Sequence, residues 1–217
     1  PLVVADLTIM DQELLARLRR SGGPREWGAW ESDISRTMEL LAYRKDPEGE
    51  ILLARLMADP SANVKRWAIY QWGQLGHYSP EGAQAALGQL GEDWPLNVYV
   101  ADALVQMGPV AASDIVVALD SPDRDARIAA AYALGEMGPE VADVAVPGLL
   151  KQLAREPLDD PELIVNTLVE MDVRTDEVFD AFYDARVRSG GYSVHVMPKL
   201  FGEDWRERVP VDATADE

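Results

Sequence analysis

The chain contains no cysteine, two histidines and only four lysines. The absence of cysteine excludes disulfide bonds and thiolate metal sites, and it is typical of a reducing compartment. No apolar run approaches the roughly 20 residues that a membrane-spanning helix needs. No basic stretch followed by an apolar core resembles a secretory leader. We therefore expect a cytoplasmic protein with no membrane partner.

Motifs for catalysis and cofactor binding are also lacking. The sequence has no P-loop, no G-x-G-x-x-G, no G-x-S-x-G and no H-E-x-x-H. His77 and His195 are far apart, and His77 follows a predicted helix end, where a cation is favoured. Asp159 and Asp160 are better explained as a turn and N-cap than as a cation site. The sequence predicts a non-enzyme with no catalytic residue, no cofactor and no metal.

The charge balance is strongly acidic, with 38 Asp and Glu residues against 20 Lys and Arg, a net charge of −18. Such a surface repels phosphate groups and argues against nucleic-acid binding, which depends on neutralising them with cations. It favours solubility and a basic partner. A generally acidic proteome or a salt-adapted host is an alternative explanation.

One helical segment, which ends in glycine, recurs along the chain. Residues 123–138, DRDARIAAAYALGEMG, place small and apolar side chains at spacings of three and four, as an amphipathic helix does. Gly138 followed by Pro139 ends it. Similar segments end at Gly76 and Gly108, and a fourth ends at Asp172 where glycine is expected. Intervals of 32, 30 and 34 residues between these stops predict a stacked two-helix unit.

The third copy carries a recognisable pattern, formed by Ala126-Arg127, Ala129-Ala130, Ala133-Leu134-Gly135 and Gly138. This pattern resembles the HEAT-like repeat shared with phycobilisome lyases, over roughly residues 48 to 188. Lys65 takes the basic position in the first copy. Asn97 and Pro161 depart from it in the second and fourth copies. Because that basic residue helps to tie neighbouring repeats, we expect those two junctions to be less regular.

The resemblance implies an all-α protein, a HEAT-like solenoid that forms a right-handed α-α superhelix of about five to six helix pairs. We expect a single domain over residues 1–202, made of an irregular N-terminal cap (1–46), the repeats (48–188) and a C-terminal cap (189–202). An acidic tail with a disordered end follows at 203–217. Helices are predicted at 7–20, from Ser32 onward, and at 48–58, 62–75, 81–90, 95–107, 110–119, 123–137, 140–156, 160–171 and 175–188. Pro147 is expected near the start of its helix or splitting it. Three arrangements are open for residues 193–201: they pair with an edge, they lie across the last helices, or they form a short helix from Met197.

The same resemblance implies that the second helix of each pair lines the concave side of the stack. Outward positions then fall two, six and ten residues after the valine-type position of each copy. The predicted protein-binding residues are Arg66, Tyr70, Gln74, Asp102, Gln106, Tyr132, Glu136, Asn166 and Glu170. Exposed tyrosines beside carboxylates and amides suit a protein partner. In the alternative, Tyr70 and Tyr132 pack against a neighbouring helix.

The tryptophans separate into two groups. Trp72 stands where Leu104 and Leu134 stand in other copies, which predicts a core position, and Trp67 replaces an alanine-type position beside the N-terminal cap. Trp27, Trp30 and Trp94 lie near turns and could flank a pocket.

These observations predict a non-catalytic scaffold or adaptor that binds another protein or peptide, basic in character, on the concave face. The repeat resemblance supports one alternative, a protein like the bilin lyases that handles a chromophore in a pocket beside Trp67, Trp72 and Trp94. A third hypothesis is nucleic-acid binding, or a HEAT-like DNA glycosylase, and the acidic net charge disfavours it. The sequence leaves homo-oligomerisation open.

Overall fold

The computed structural model describes residues 16, 19–20, 47–155, 161–189 and 197–208. Within these ranges the secondary structure is helical, and the prediction of an all-α protein is confirmed. The α-helices are α1 Pro47–Leu56, α2 Ala62–Leu75, α3 Pro80–Leu87, α4 Trp94–Met107, α5 Ala112–Ala118, α6 Arg124–Met137, α7 Ala142–Leu153, α8 Pro161–Glu170, α9 Asp176–Ser189 and α10 Met197–Phe201. Short 3-10 segments lie at Pro109–Ala111, Gly138–Val141 and Glu203–Arg208.

Side-chain caps fix the start of several helices. Asp93 Oδ1 accepts a hydrogen bond from Leu96 N at 2.7 Å, and Asp123 Oδ1 accepts one from Ala126 N at 2.9 Å. Ser79 Oγ accepts one from Gly82 N at 3.1 Å, immediately before Pro80. Each cap satisfies a backbone donor that the first helical turn leaves without a partner. The turn clusters predicted from the sequence therefore set where α3, α4 and α6 begin.

A residue with a positive φ follows each of the four recurring helices. Gly76, Gly108 and Gly138 have φ values of 58°, 74° and 71°. Asp172, at the equivalent place after α8, has a φ of 53°. Among the residues that the structure describes, it is the one non-glycine residue with a positive φ. The sequence alignment therefore identified the fourth stop correctly, although the residue there has a side chain.

The helices form two layers. The first helices of the pairs, α1, α3, α5, α7 and α9, pack side by side in chain order and are called the A layer; the second helices, α2, α4, α6 and α8, do the same and are called the B layer. Each of the first four A helices also contacts the B helix that follows it. The core lies between the layers and between successive pairs.

Equivalent positions of the B helices are filled by large buried side chains. Trp72, Leu104, Leu134 and Leu168 stand four residues before the stop of their copies, and each is at most 1% exposed. The prediction that Trp72 belongs to the core is confirmed. Trp67 is also completely buried.

The residue at the basic position of each copy bonds differently. Lys65 of α2 pairs with Glu92, in the turn before α4, and so connects neighbouring copies. Arg127 Nη1 donates to the carbonyl oxygens of Ser121 and Pro122 at 2.7 and 2.9 Å, in the turn before its own helix. Asn97 Oδ1 accepts from Gly91 N at 2.9 Å, at the same six-residue offset. Asn97 therefore retains a local turn contact although it departs from the basic pattern.

Two predictions about the later helices need correction. Pro147 lies inside α7, which runs without a break from Ala142 to Leu153, so it neither starts nor splits the helix. The tail predicted from residue 203 is folded at its beginning, because Glu203–Arg208 is a 3-10 segment and Trp205 within it is buried. The short helix from Met197, one of three alternatives, is the one observed.

The N-terminal cap is described only in part. Arg19 Nη2 lies 2.7 Å from Asp59 Oδ2, a carboxylate that is almost completely buried in the turn before α2. The predicted helix at 7–20 otherwise lies outside the described residues, as do the helix from Ser32, Trp27, Trp30, Asp159-Asp160, His195 and the end of the tail.

Within the described ranges, no single helix is long and apolar enough to cross a membrane. The segments Trp94–Met107 and Pro109–Ala118 reach the length and apolar composition of a membrane span only when they are taken together, and the chain bends by 116° between them.

Candidate binding surface

The outward side of the B layer carries the residues predicted to bind a partner. These residues stand at intervals of four along each helix, so they form stripes along the helices and rows across them. We call this surface the B face; it consists of the predicted residues Arg66, Tyr70, Gln74, Asp102, Gln106, Tyr132, Glu136, Asn166 and Glu170, together with Trp94 and Glu162. Six of the nine predicted residues are exposed, and Arg66, Asp102 and Asn166 are half-buried.

Three exposed aromatic side chains lie on the B face. The exposed fractions are 40% for Tyr70, 52% for Trp94 and 38% for Tyr132. The other Trp, Tyr and Phe residues whose burial is described are buried or half-buried. Tyr70 and Tyr132 are therefore partly covered by neighbouring residues, as the packing alternative expects, and partly accessible to a partner.

Trp94 was not predicted as part of this surface. It lies eight residues before Asp102, two helical turns along the same stripe of α4. Val98 stands four residues before Asp102, and one further step of four residues back reaches Trp94. The chromophore alternative expected a pocket beside Trp67, Trp72 and Trp94; in the structure Trp67 and Trp72 are completely buried, whereas Trp94 is 52% exposed.

The basic groups at one edge of the B face are paired. Arg66 Nη2 lies 3.3 Å from Asp93 Oδ2, and Lys65 pairs with Glu92 beside it. Both acidic partners belong to the turn that leads into α4, so these contacts also connect the first two copies. Their cations therefore do not neutralise the carboxylates further along the surface.

One row of the B face changes character along the stack. Gln74 Nε2 donates to Gln106 Oε1 at 3.0 Å, so the first two copies contribute an amide pair that is internally satisfied. The same row continues with Glu136 on α6 and Glu170 on α8. Burial, and secondarily the charge of Glu136, raises the pKa of Glu170 above its ordinary value. The last two copies therefore present neighbouring carboxylates.

The backbone of α6 brings these two carboxylates together. A Cβ atom placed on Gly135 would lie 2.7 Å from Glu170 Oε2, which shows that the Glu170 side chain reaches across to α6. No Lys, Arg or His among the described residues forms an ion pair with Glu136, Glu162 or Glu170. This part of the B face is a concentration of negative charge beside the Tyr132 ring.

Other predicted features do not assemble into a site. His77 Nδ1 lies 3.7 Å from Glu50 Oε1 and its side chain is largely exposed. Among residues 47–155, 161–189 and 197–208, no three His, Asp or Glu side chains are grouped so that they could hold a metal ion. The hydrogen bond between the Tyr78 hydroxyl and the Asp114 carboxylate raises the pKa of Tyr78, and it connects two neighbouring copies.

Neither a scan against protein-family models nor a search of curated proteins finds a match for this chain. The residues of the B face and their surroundings are therefore the evidence for function.

Proposed function

We propose that this protein is a non-catalytic scaffold or adaptor that binds a protein or peptide, basic in character, on the B face. In this proposal the two-layer stack is a HEAT-like superhelix, and the B face is its concave side. The side-by-side order of the B helices and the glycine-type stops at regular intervals support that architecture.

A single observation carries the functional proposal: the exposed aromatic rings of the described residues share one surface with Glu136, Glu162 and Glu170, which form no ion pair with a described Lys, Arg or His. Aromatic side chains supply large contact area at little entropic cost and are enriched at the centres of interfaces. Charged groups select the partner and orient it. Rings surrounded by acids thus favour a basic protein segment over an acidic one.

The electrostatics also support a protein partner over a nucleic acid. The net charge is −18, and Lys65 and Arg66, at one edge of the B face, are paired with Glu92 and Asp93. Arg124, two helical turns before Tyr132 on α6, lies 3.5 Å from Asp125. These described cations do not form the continuous basic stripe on which binding to a nucleic-acid backbone depends.

The proposal is tested with the full chain immobilised in the lysate of its source. The test variant is Tyr70→Ala/Trp94→Ala/Tyr132→Ala, and the control is Val110→Ala/Val117→Ala, which removes exposed apolar groups outside the B layer. Circular dichroism checks that both fold. We expect proteins that are retained by the wild type and the control and lost by the test variant. Equal retention by all three would place binding elsewhere and refute the proposal.

A further inference from the structure

The C-terminal end of the fold shows how this chain binds an arginine side chain of its own. The guanidinium carbon of Arg208 lies 4.2 Å from the centroid of the Phe179 ring and 5.0 Å from that of Phe201. Its Nη2 atom also forms an ion pair with Asp176. Asp176 precedes Phe179 by three residues on α9, so one helical turn supplies both the ring and the carboxylate.

The B face also presents a ring and a carboxylate one helical turn apart, in the opposite order along the helix. Tyr132 and Glu136 are four residues apart on α6, and hence one turn apart on one side of the helix. Glu170 approaches from α8 and adds a second carboxylate. The ring is 38% exposed and Glu136 and Glu170 are exposed as well, so a side chain from another molecule can reach all three.

We infer, on the basis of the proposed function, that the B face binds arginine side chains of an extended basic peptide. One guanidinium lies between the Tyr132 ring and the carboxylates of Glu136 and Glu170. This assignment deepens the proposed function, because it names the residue type that the partner presents.

Arginine fits these groups better than lysine for geometric reasons. A guanidinium is planar, so it can stack on a ring while its N–H groups point outward in the plane. Those donors match one or two carboxylates in a bidentate manner. A lysine ammonium satisfies the charge but gains less from the ring and is more strongly hydrated. Two adjacent carboxylates also disfavour each other until a cation lies between them.

A second arginine position follows from the repeat. Tyr70 and Asp102 lie in the same row as Tyr132 and belong to α2 and α4, whose outward sides are adjacent. Packed helices are about 8–10 Å apart, so Tyr70 and Tyr132 are separated by roughly 16–20 Å. An extended peptide rises about 3.3 Å per residue, and this distance corresponds to about five or six residues. The charge of this chain, −18, opposes a second copy as the occupant.

The experiment uses two fluorescein-labelled peptides of about twelve residues, the length that this span requires with short flanks. One has two arginines six positions apart in a neutral Gly/Ser background, and the other has lysines at the same positions. Each is titrated with the full chain and followed by fluorescence anisotropy. We expect the arginine peptide to bind about tenfold more tightly than the lysine peptide.

The decisive variant is Glu136→Gln/Glu170→Gln, because Gln74 and Gln106 show that the same row accommodates an amide pair. A second variant, Tyr132→Leu, removes the ring and keeps the carboxylates. Both should weaken the preference for arginine rather than abolish it, because the second position at Tyr70 and Asp102 is left intact. The charge-matched control, Asp180→Asn/Asp184→Asn, removes two exposed acids from α9 in the A layer and should retain the preference.

The outcomes separate this inference from the proposed function. Equal binding of both peptides, lost in the glutamine variant, would overturn the arginine assignment and leave a basic-peptide surface in place. An equal loss in the control variant would attribute binding to total charge and overturn it too. If neither peptide binds the wild type, the inference fails. The lysate experiment then decides separately whether the three aromatic rings of the B face bind some other partner.

Discussion

The contact between α2 and α4 leads to a sharp prediction about Gly73. A Cβ atom at this position would lie 2.9 Å from Ala103 Cα and 3.0 Å from Ala103 Cβ, closer than the 3.4 Å at which ordinary contacts begin. The obstructing atoms are backbone and a Cβ, which cannot rotate away. Substitution of Gly73 by alanine must therefore move the two helices apart by about 0.5 Å in a closely packed interior.

The magnitude is the difference between two opposing effects. Overpacking of a well-packed site costs about 1–3 kcal/mol. Replacing a helix-interior glycine by alanine stabilises a helix by about 0.5–1 kcal/mol. Gln74 follows Gly73 by one residue and Gln106 follows Ala103 by three, and the hydrogen bond between these two glutamines resists the separation. The difference runs from about 0 to about 2.5 kcal/mol, and we expect Gly73→Ala to lower the free energy of unfolding by about 1 kcal/mol, which for a chain of this size lowers Tm by about 2–4 °C.

Gly135 provides the matched comparison on α6. A Cβ atom there would approach Glu170 Oε2 at 2.7 Å and Thr167 Oγ1 at 3.2 Å. The nearer atom is the end of an exposed, flexible side chain that can turn aside. Gly135→Ala should therefore leave stability unchanged or raise it by up to about 1 kcal/mol. Urea denaturation followed by circular dichroism measures both variants. If Gly73→Ala is as stable as the wild type, or if both variants lose the same amount, the reasoning about the two helix contacts is refuted.

Three further predictions concern the end of the stack. Asp172→Gly should raise the free energy of unfolding by about 0.5–1 kcal/mol, because a residue with a side chain is strained in left-handed backbone. The exposed contact with Arg174, which the substitution removes, contributes little. A loss of stability in urea denaturation would contradict this prediction. Glu170→Gln should stabilise the protein by a few tenths of a kcal/mol at neutral pH, since it removes a charge that burial, and secondarily repulsion from Glu136, disfavours. A raised pKa means that the folded state holds its proton more tightly, so this advantage should shrink as the pH falls toward the ordinary carboxyl pKa of about 4.3, and a pH-independent advantage would exclude the mechanism. Trp205→Ala should cost about 3–5 kcal/mol because the side chain is buried, and a stability near that of the wild type would show that the Glu203–Arg208 segment unfolds separately.

The helix stops show what could be predicted from the sequence. A glycine after an amphipathic stretch is a strong local signal, and the end of α2 at Leu75 and of α4 at Met107 agrees with the prediction to the residue. The fourth stop was found from the likeness of its segment to the other copies although it lacks the glycine, and the positive φ of Asp172 agrees with it. Local signals sufficed because the backbone conformation at these sites depends on neighbouring residues.

Features that depend on distant contacts could not be predicted in the same way. The burial of Trp205 results from packing of the C-terminal segment, whose neighbouring residue Arg208 contacts Phe179 on α9. Composition alone placed residues 203–208 in an acidic tail. The inward position of Trp67 and Trp72 is consistent with the periodicity, but the pocket assigned to them required three-dimensional knowledge that spacing does not provide.

The B face was predicted by position, yet its chemical contrast emerges only from the contacts. From the sequence, Gln74, Gln106, Glu136 and Glu170 are four polar residues in equivalent places. The structure divides them into an amide pair that bonds to itself and a carboxylate pair in which burial and repulsion raise the pKa of Glu170. This distinction depends on Gly135, because the missing side chain is what allows Glu170 to lie against α6.

A repeat protein contains its own control for such a comparison. At the buried row that includes Trp72 and Leu134, the fold requires a large apolar side chain in every copy. At the exposed row, the amide pair shows that the fold is satisfied without charge, so the architecture does not require Glu136 and Glu170 to be acidic. If the glutamine variant is more stable than the wild type and at the same time has a weaker preference for arginine, the carboxylates lower stability while they create binding. That combination would assign them to recognition, since a residue with a purely structural role cannot improve stability by its removal.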